Sequence, residues 1–159
     1  MAFSVTRSSA IRDKWKELVF ENADIQAISP IVLYHDITED SHLETSSIRW
    51  RQQINFWMFT CSRAPYAMTL GGGDAHRVNY AIRIAYTKRA DPRGQAWFEC
   101  IDAIETLQDV IINELGSQWG GLVGGSTLPQ EPPQPTITNI IDEPVFTIQY
   151  NLQGEICQA

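Results

Sequence analysis

The chain has 159 residues, of which 43% are hydrophobic and 19% are charged, and its formal net charge is −7. This length and balance are typical of one folded domain with a sizeable core, and they argue against a disordered or fibrous chain. The acidic charge argues against general electrostatic binding to nucleic acid, which requires a basic face. We expect neither a secretion signal nor a membrane anchor, since no apolar run approaches the ~20 residues of a membrane-spanning helix.

The three cysteines are widely separated and form no C-x-x-C pair. This spacing is typical of reduced thiols and not of a disulfide framework. We expect Cys100 to be buried in a helix. The three residues are Cys61, Cys100 and Cys157.

The N-terminal part of the chain predicts a helix followed by a short strand. Residues 8–21 carry apolar side chains at helical spacing, and Ser8 or Ser9 is suited to cap this helix. A β-branched and aromatic run at 31–34 predicts the strand. The acidic and polar segment 36–47 predicts a loop.

Two alternating segments predict a long antiparallel hairpin. From Ile48 to Met58 the even positions are mostly apolar, which indicates a strand with one buried face. Residues 78–87 alternate more regularly, with Val78 and every second residue after it apolar. The glycine-rich segment 71–74 between these strands supplies the turn.

A second helix is predicted over residues 91–115. Asp91 is suited to the N-cap, Pro92 is tolerated at the first helical position, and Gly116 is placed to end the helix. Apolar side chains cover one arc of this helix, which indicates a face packed on the sheet. A row of acidic residues marks the opposite, solvated face: Glu99, Asp102, Glu105 and Asp109.

The last part of the chain predicts an irregular segment and a closing strand. Residues 117–142 contain paired glycines and clustered prolines, which predicts no regular element. Alternation beginning near Pro144 and reaching Leu152 predicts the strand. The predicted class is α+β, with a single domain over 1–159. It has one antiparallel sheet with helices packed on one face, in the order α-β-β-β-α-β.

The sequence contains no recognisable catalytic constellation. The histidines His35, His42 and His76 lack the tight spacing of a metal site, and no G-x-S-x-G motif is present. The triple glycine is followed by a predicted strand, so no helix N-terminus is available there for a phosphate. We therefore predict no catalytic residue, no metal and no cofactor.

Two features indicate assembly with other proteins, and the first is the polar face of the sheet. With the expected pairing, Arg49, Arg51 and Arg83 project away from the helices. Arginine forms bidentate pairs with carboxylates, so this face is suited to a carboxylate-bearing neighbour. The alternative is an ordinary solvated sheet face. Amide side chains are expected beside the arginines: Gln53, Asn55, Gln149 and Asn151.

The second feature is the long segment 117–142, which is too apolar for a plain linker. Structureless loops of this length are uncommon inside a compact domain and are usually functional or disordered. Trp119, Leu122 and Val123 are its first large apolar residues, and we expect them to contact a neighbouring subunit. The alternative is that the segment folds over its own core.

In this element order, the chain resembles the tail terminator (tail-completion) proteins of long-tailed bacteriophages. The resemblance depends on the N-terminal helix, the strand at 78–87, and the Asp91-Pro92 start of the long helix. A closing strand at 145–152 follows the irregular segment. The resemblance covers most of the chain, and it is a similarity in the order and spacing of these elements.

The resemblance implies a structural virion protein without catalytic residues. Such a protein forms a ring, expected to be a hexamer, that ends the tail tube and joins it to the head. The implied partners are further copies of the chain, the tail tube protein and a neck or stopper protein. It would be made in the host cytoplasm and located in the virion neck. The alternatives are another neck component, such as a stopper or tube subunit, and a small ligand-binding or enzyme domain. That last alternative places a pocket between helices and sheet, with Trp15, Trp50, Trp57 and Trp97 as its lining.

Overall fold

A computed structural model describes residues 6–35, 54–63, 67–68, 76–140 and 143–158 of the chain. The helices are α1 (Ser8–Trp15), α2 (Ala23–Ile28) and α3 (Gln95–Val110), followed by a short 3₁₀ turn (Trp119–Gly121). Helix α1 continues as a π-helical turn (Lys16–Phe20), and α3 continues as a second π-helical turn (Ile111–Leu115). The strands are β1 (Val32–Leu33), β2 (Asn55–Arg63), β3 (Ala67–Met68), β4 (His76–Arg89), β5 (Gly125–Thr127), β6 (Thr136–Ile140) and β7 (Glu143–Gln158).

The fold is α+β, with helices packed against one face of a single sheet, which confirms the predicted class. Within the described residues, seven strands form this sheet in the order β1-β2-β4-β7-β5, with β3 also beside β4 and β6 also beside β7. The pairing is antiparallel except between β1 and β2, which run parallel, so the prediction of a purely antiparallel sheet is wrong at this edge. A parallel pair requires a long connection, and residues 34–54 supply it.

The two longest strands, β4 and β7, form the centre of the sheet and follow the predicted alternation. They pair continuously from His76 opposite Gln158 to Arg89 opposite Val145. The apolar positions of both strands are buried against the helices, which confirms the predicted inward face. These positions are Val78, Tyr80, Ile82, Ile84, Tyr86, Ile148, Tyr150 and Leu152.

The prediction that β2 buries only one face is wrong. Trp57 and Phe59 are buried in the main core beneath the helices. Phe56 and Met58, on the other face, are buried in a second cluster with Val145. Ile31, Leu33 and Ile140 cover this second cluster, so the sheet is apolar on both faces at this end.

The helices confirm the predicted helical segments and correct their ends. Arg7 occupies the N-cap of α1 without a side-chain hydrogen bond, so the expected serine cap is wrong. Helix α2 was not predicted because it has only six residues; Asn22 caps it by accepting a hydrogen bond from the Asp24 backbone N–H at 2.9 Å.

The long helix α3 begins at Gln95, four residues later than predicted. Residues 91–94 form a turn that ends at Gly94, whose φ of 75° is in the left-handed region. The Asp91 carboxylate still caps the helix, since it accepts hydrogen bonds from the backbone N–H groups of Gln95 and Ala96 at 3.2 and 2.9 Å. Gly116, with φ of 73°, ends the helical segment as predicted.

The expectation that 117–142 contains no regular element is wrong. A 3₁₀ turn and the strands β5 and β6 lie within it, and both strands pair with β7. Strand β7 extends to Gln158, six residues beyond the predicted end, and β5 pairs with this extension, whereas β6 pairs with the beginning of β7. The expected loop at 36–47 and the glycine turn at 71–74 lie outside the described residues.

Within the described part of the chain, no helix has both the length and the apolar character needed to cross a membrane.

Candidate interaction site

The sheet face opposite the helices contains an open groove, which we call the sheet groove. Its floor consists of two rows across β2, β4 and β7. Thr60, Arg83 and Asn151 form one row. Ser62, Ala81 and Gln153 form the next row, while residues after β5, including Leu128 and Gln130, line the side. The groove has a volume of about 630 Å³.

The chemistry of the sheet groove suits an acidic partner. Among the described residues that line the groove, Arg83 is the only one with a charged side chain, and this side chain is half-buried. Hydroxyl and amide groups surround it and can donate hydrogen bonds to carboxylate oxygens.

The structure places only part of the predicted arginine face. Arg83 projects away from the helices as expected, and Gln149 and Asn151 are exposed on the same face. Arg49, Arg51 and Gln53 lie outside the described residues.

The prediction for Asn55 is wrong, because its side chain lies on the helix side of the sheet. Its amide nitrogen donates a hydrogen bond to the backbone carbonyl of Ile28 at 3.0 Å, and its carbonyl oxygen accepts one from the Tyr86 hydroxyl. Asn55 precedes the inward-facing Trp57 and Phe59 by two and four residues along β2, so its side chain lies on the same face of the sheet as theirs.

The three predicted contact residues of the irregular segment pack inside their own chain. Trp119 and Val123 are buried in the main core, and Leu122 is half-buried against it. The Trp119 ring lies 5.5 Å from that of Trp15, edge to face. The expectation that these residues contact a neighbouring subunit is therefore wrong. They support the alternative, in which the segment folds over the core of its own chain.

The outer face of α3 carries a second exposed surface, which we call the helix stripe. Its ends are two large apolar side chains, Phe98 and Ile112, with exposed fractions of 67% and 55%. Between them lie three exposed carboxylates at alternating spacings of three and four residues, which places all five side chains on one side of the helix. The carboxylates are those of Asp102, Glu105 and Asp109.

Sequence reasoning identified the acidic row but missed its apolar ends. The signal was present, since Phe98, Glu105 and Ile112 are spaced seven residues apart. Glu99 differs from the other acidic residues, because it is half-buried and forms an ion pair with Lys88 of the neighbouring strand.

Two of the four tryptophans expected to line a pocket lie instead in the main core. Trp15 and Trp57 are fully buried there. The Phe59 ring lies 5.5 Å from Trp15, and the Tyr86 ring lies 4.8 Å from Trp57. Trp97 packs edge to face on Phe146 at 5.4 Å. Trp50 lies outside the described residues.

The described thiols are poorly suited to act as nucleophiles. Burial raises the pKa of the Cys61 thiol to about 11 and that of the Cys100 thiol to about 12. Both are therefore protonated at neutral pH, whereas the thiolate is the reactive form. Among the described residues, no group of three or more His, Cys, Asp or Glu side chains is placed to hold a metal ion.

We expect the fold to lose stability as the pH rises above about 9. The ordinary pKa of a cysteine, 9.0, is raised at Cys100 to about 12, so the folded state holds its proton more tightly than the unfolded state. This contribution is complete below the unfolded pKa and is lost as the pH rises towards the folded one. Burial raises the pKa of Tyr34 to about 12, which acts in the same direction.

Urea unfolding measured between about pH 8 and about pH 11 checks this expectation. The free energy of unfolding should fall across this range, and the fall should be shallower in Cys100→Ala. Equal slopes in the two proteins would show that the thiol does not contribute.

No protein-family model matches the chain, and no curated protein sequence shows significant similarity to it.

Proposed function

We propose that the chain is a structural subunit of a homo-oligomeric, six-membered ring of the tail terminator type. One observation carries this proposal: the domain exposes two unlike surfaces, the sheet groove and the helix stripe, on opposite sides. A closed ring of more than two identical subunits requires contacts in which one patch meets a different patch on the neighbour. The domain has the two unlike patches that this geometry needs.

The order of elements also supports the proposal. The fold contains an N-terminal helix, a long antiparallel pair of strands, a long helix and a closing strand, which are the elements of the resemblance to tail terminators. In this role the ring ends the tail tube and presents its other side to the neck. Its partners are the tail tube protein and a neck or stopper protein, and its location is the virion neck. DNA would pass through its axial opening without sequence-specific contacts.

Negative-stain electron microscopy of the purified protein tests the proposal. We expect closed rings of one diameter with a central opening, and class averages with sixfold symmetry. Particles of the size of a single 18.0 kDa chain at every concentration would contradict the proposal. Open filaments would also contradict it, because they would show that the heterologous contact does not close.

A further inference from the structure

We infer that strand β6 pairs with β6 of a second copy of the chain, strand to strand, across a two-fold axis. This inference goes beyond the proposed function, because the contact is separate from the heterologous contacts that close a ring. It can join two single copies or two rings. It depends on one edge of the sheet, formed by Thr136–Ile140, which we call the β6 edge.

The β6 edge is open. Strand β6 pairs with β7 on one side, and no other described strand pairs with its other side. Thr136, Ile137, Thr138 and Asn139 are all exposed, and Ile137 has an exposed fraction of 65%. An open edge presents unpaired backbone N–H and C=O groups, to which another strand can bind.

The backbone groups of Ile137 and Asn139 point to this edge. The Pro144 carbonyl accepts a hydrogen bond from the Ala90 N–H at 3.0 Å, so the backbone of Pro144 is directed towards the end of β4 and away from β6. In an antiparallel pair, opposite residues alternate between hydrogen-bonded and non-hydrogen-bonded pairs. Asn139 lies opposite Pro144 and therefore directs its N–H and C=O outwards, as does Ile137, two residues before it.

The β6 edge lacks several features that usually protect an edge strand from pairing. Short length, charged side chains and prolines within the strand provide such protection. The strands β1, β3 and β5 also lie at edges of the sheet, and they have only two or three residues each. Strand β6 has five residues, Thr-Ile-Thr-Asn-Ile, without a charge or a proline. A strand of this composition is suited to pairing with another chain.

The β6 edge is complementary to itself, which identifies the second copy as its partner. Antiparallel pairing with Thr138 opposite its own copy places Ile137 opposite Asn139 of the second copy, and the reverse. The outward N–H and C=O groups of these residues then bond to one another, as in an ordinary antiparallel ladder. Cross-strand threonine pairs are stabilising, and no charges oppose each other within the paired strands.

The pairing also extends the packing on both faces of the sheet. Ile137 lies opposite Phe146, which packs on Trp97 on the helix side. Thr138 lies opposite Val145, which belongs to the second apolar cluster on the other side. A second copy would cover the exposed Ile137 side chain beside this aromatic pair. A strand of five residues is about 17 Å long, so the contact is small and we expect a weak association that depends on concentration.

Cysteine cross-linking tests the register of this pairing. In Thr138→Cys the two thiols face each other across a non-hydrogen-bonded pair with Cα atoms about 4.5 Å apart, a distance that a disulfide spans. Thr136→Cys is the matched control, because Thr136 is equally exposed but lies about 14 Å along the ladder from its own copy. We expect mild oxidation to give at least about tenfold more disulfide-linked dimer from Thr138→Cys than from Thr136→Cys on a non-reducing gel. The unmodified chain gives the background from its own thiols.

Blocking the edge in the Thr138→Cys chain tests the contact itself. Asn139→Pro removes an outward N–H and is tolerated at an open edge, and Ile137→Lys places a charge on the edge strand. Each added change should lower the yield of cross-linked dimer at least about fivefold. Ile112→Lys is the matched control for the lysine, because it makes the same change at an exposed isoleucine of the α3 segment, and it should leave the yield unchanged. Circular dichroism establishes that each variant is folded.

The outcomes separate this contact from the proposed ring. If Thr138→Cys and Thr136→Cys cross-link to the same extent, or if neither exceeds the unmodified chain, the inference is overturned whether or not rings form. If Thr138→Cys cross-links selectively and the blocking changes suppress it, the inference is supported even where electron microscopy shows no ring.

Discussion

Replacing Trp119 by alanine is expected to lower the free energy of unfolding by about 3–5 kcal/mol. The indole is fully buried and forms part of an aromatic layer with Trp15 and Phe59 between helices and sheet. Its backbone has a φ of 48°, a left-handed conformation that bulky residues rarely adopt. Such strain persists only where surrounding packing stabilises it. Chemical denaturation with a fluorescence or circular dichroism readout gives the value.

Trp97→Ala is the matched control for this prediction. Trp97 is half-buried and packs edge to face on Phe146, so its truncation removes the same atoms from a less enclosed site. Its effect should be clearly smaller. If Trp119→Ala were no more destabilising than Trp97→Ala, the placement of Trp119 in the core would be contradicted, and the expectation that it contacts a neighbouring subunit would regain support.

A second large effect is expected from Gly154→Ala, which adds a single methyl group to β7. A Cβ at this position would lie 2.3 Å from Cη2 of Trp119, well inside van der Waals contact. The indole is held by the core, so the chain must shift to relieve the overlap, at a cost of about 1–3 kcal/mol. The urea midpoint should therefore fall without a change in the slope of the transition.

Two further variants make this prediction specific. A Cβ at Gly125, on the neighbouring strand β5, would meet no atom within 4 Å, so Gly125→Ala should leave stability nearly unchanged. Combining Gly154→Ala with Trp119→Leu should cost less than the sum of the two single changes, because the smaller side chain leaves room for the methyl group. Strict additivity would show that the glycine and the indole do not touch.

The sequence predicted those parts of the fold in which one face of an element is buried and the other is solvated. Residues 78–84 show this pattern, because the inward positions are buried against the helices whereas the outward Asn79, Ala81 and Arg83 are half-buried or exposed. Strand β2 was harder to orient, because Phe56 and Met58 are buried by residues distant in the sequence. The parallel pairing of β1 was not predictable either, since two residues carry too little pattern to specify a direction.

The Trp119–Gly154 contact shows why the segment after α3 was misjudged. Its glycines and prolines indicate irregular backbone, and part of it is irregular. However, a glycine 35 positions later in the chain creates the space that the indole fills. A contact between residues so far apart in the sequence cannot be predicted from a local pattern. Positions on the candidate site were easier to predict where they follow from alternation, as for Arg83 and Asn151, or from helical spacing, as for the acidic row of α3.

The most direct test of the central claim is a native mass spectrum of the purified protein over a concentration series. The account predicts a species of six times the 18.0 kDa chain mass, in equilibrium with the monomer at low concentration. A chain that stays monomeric throughout, or a stable dimer that carries an additional small-molecule mass, would contradict it. The dimer with bound ligand would instead favour a small-molecule-binding domain.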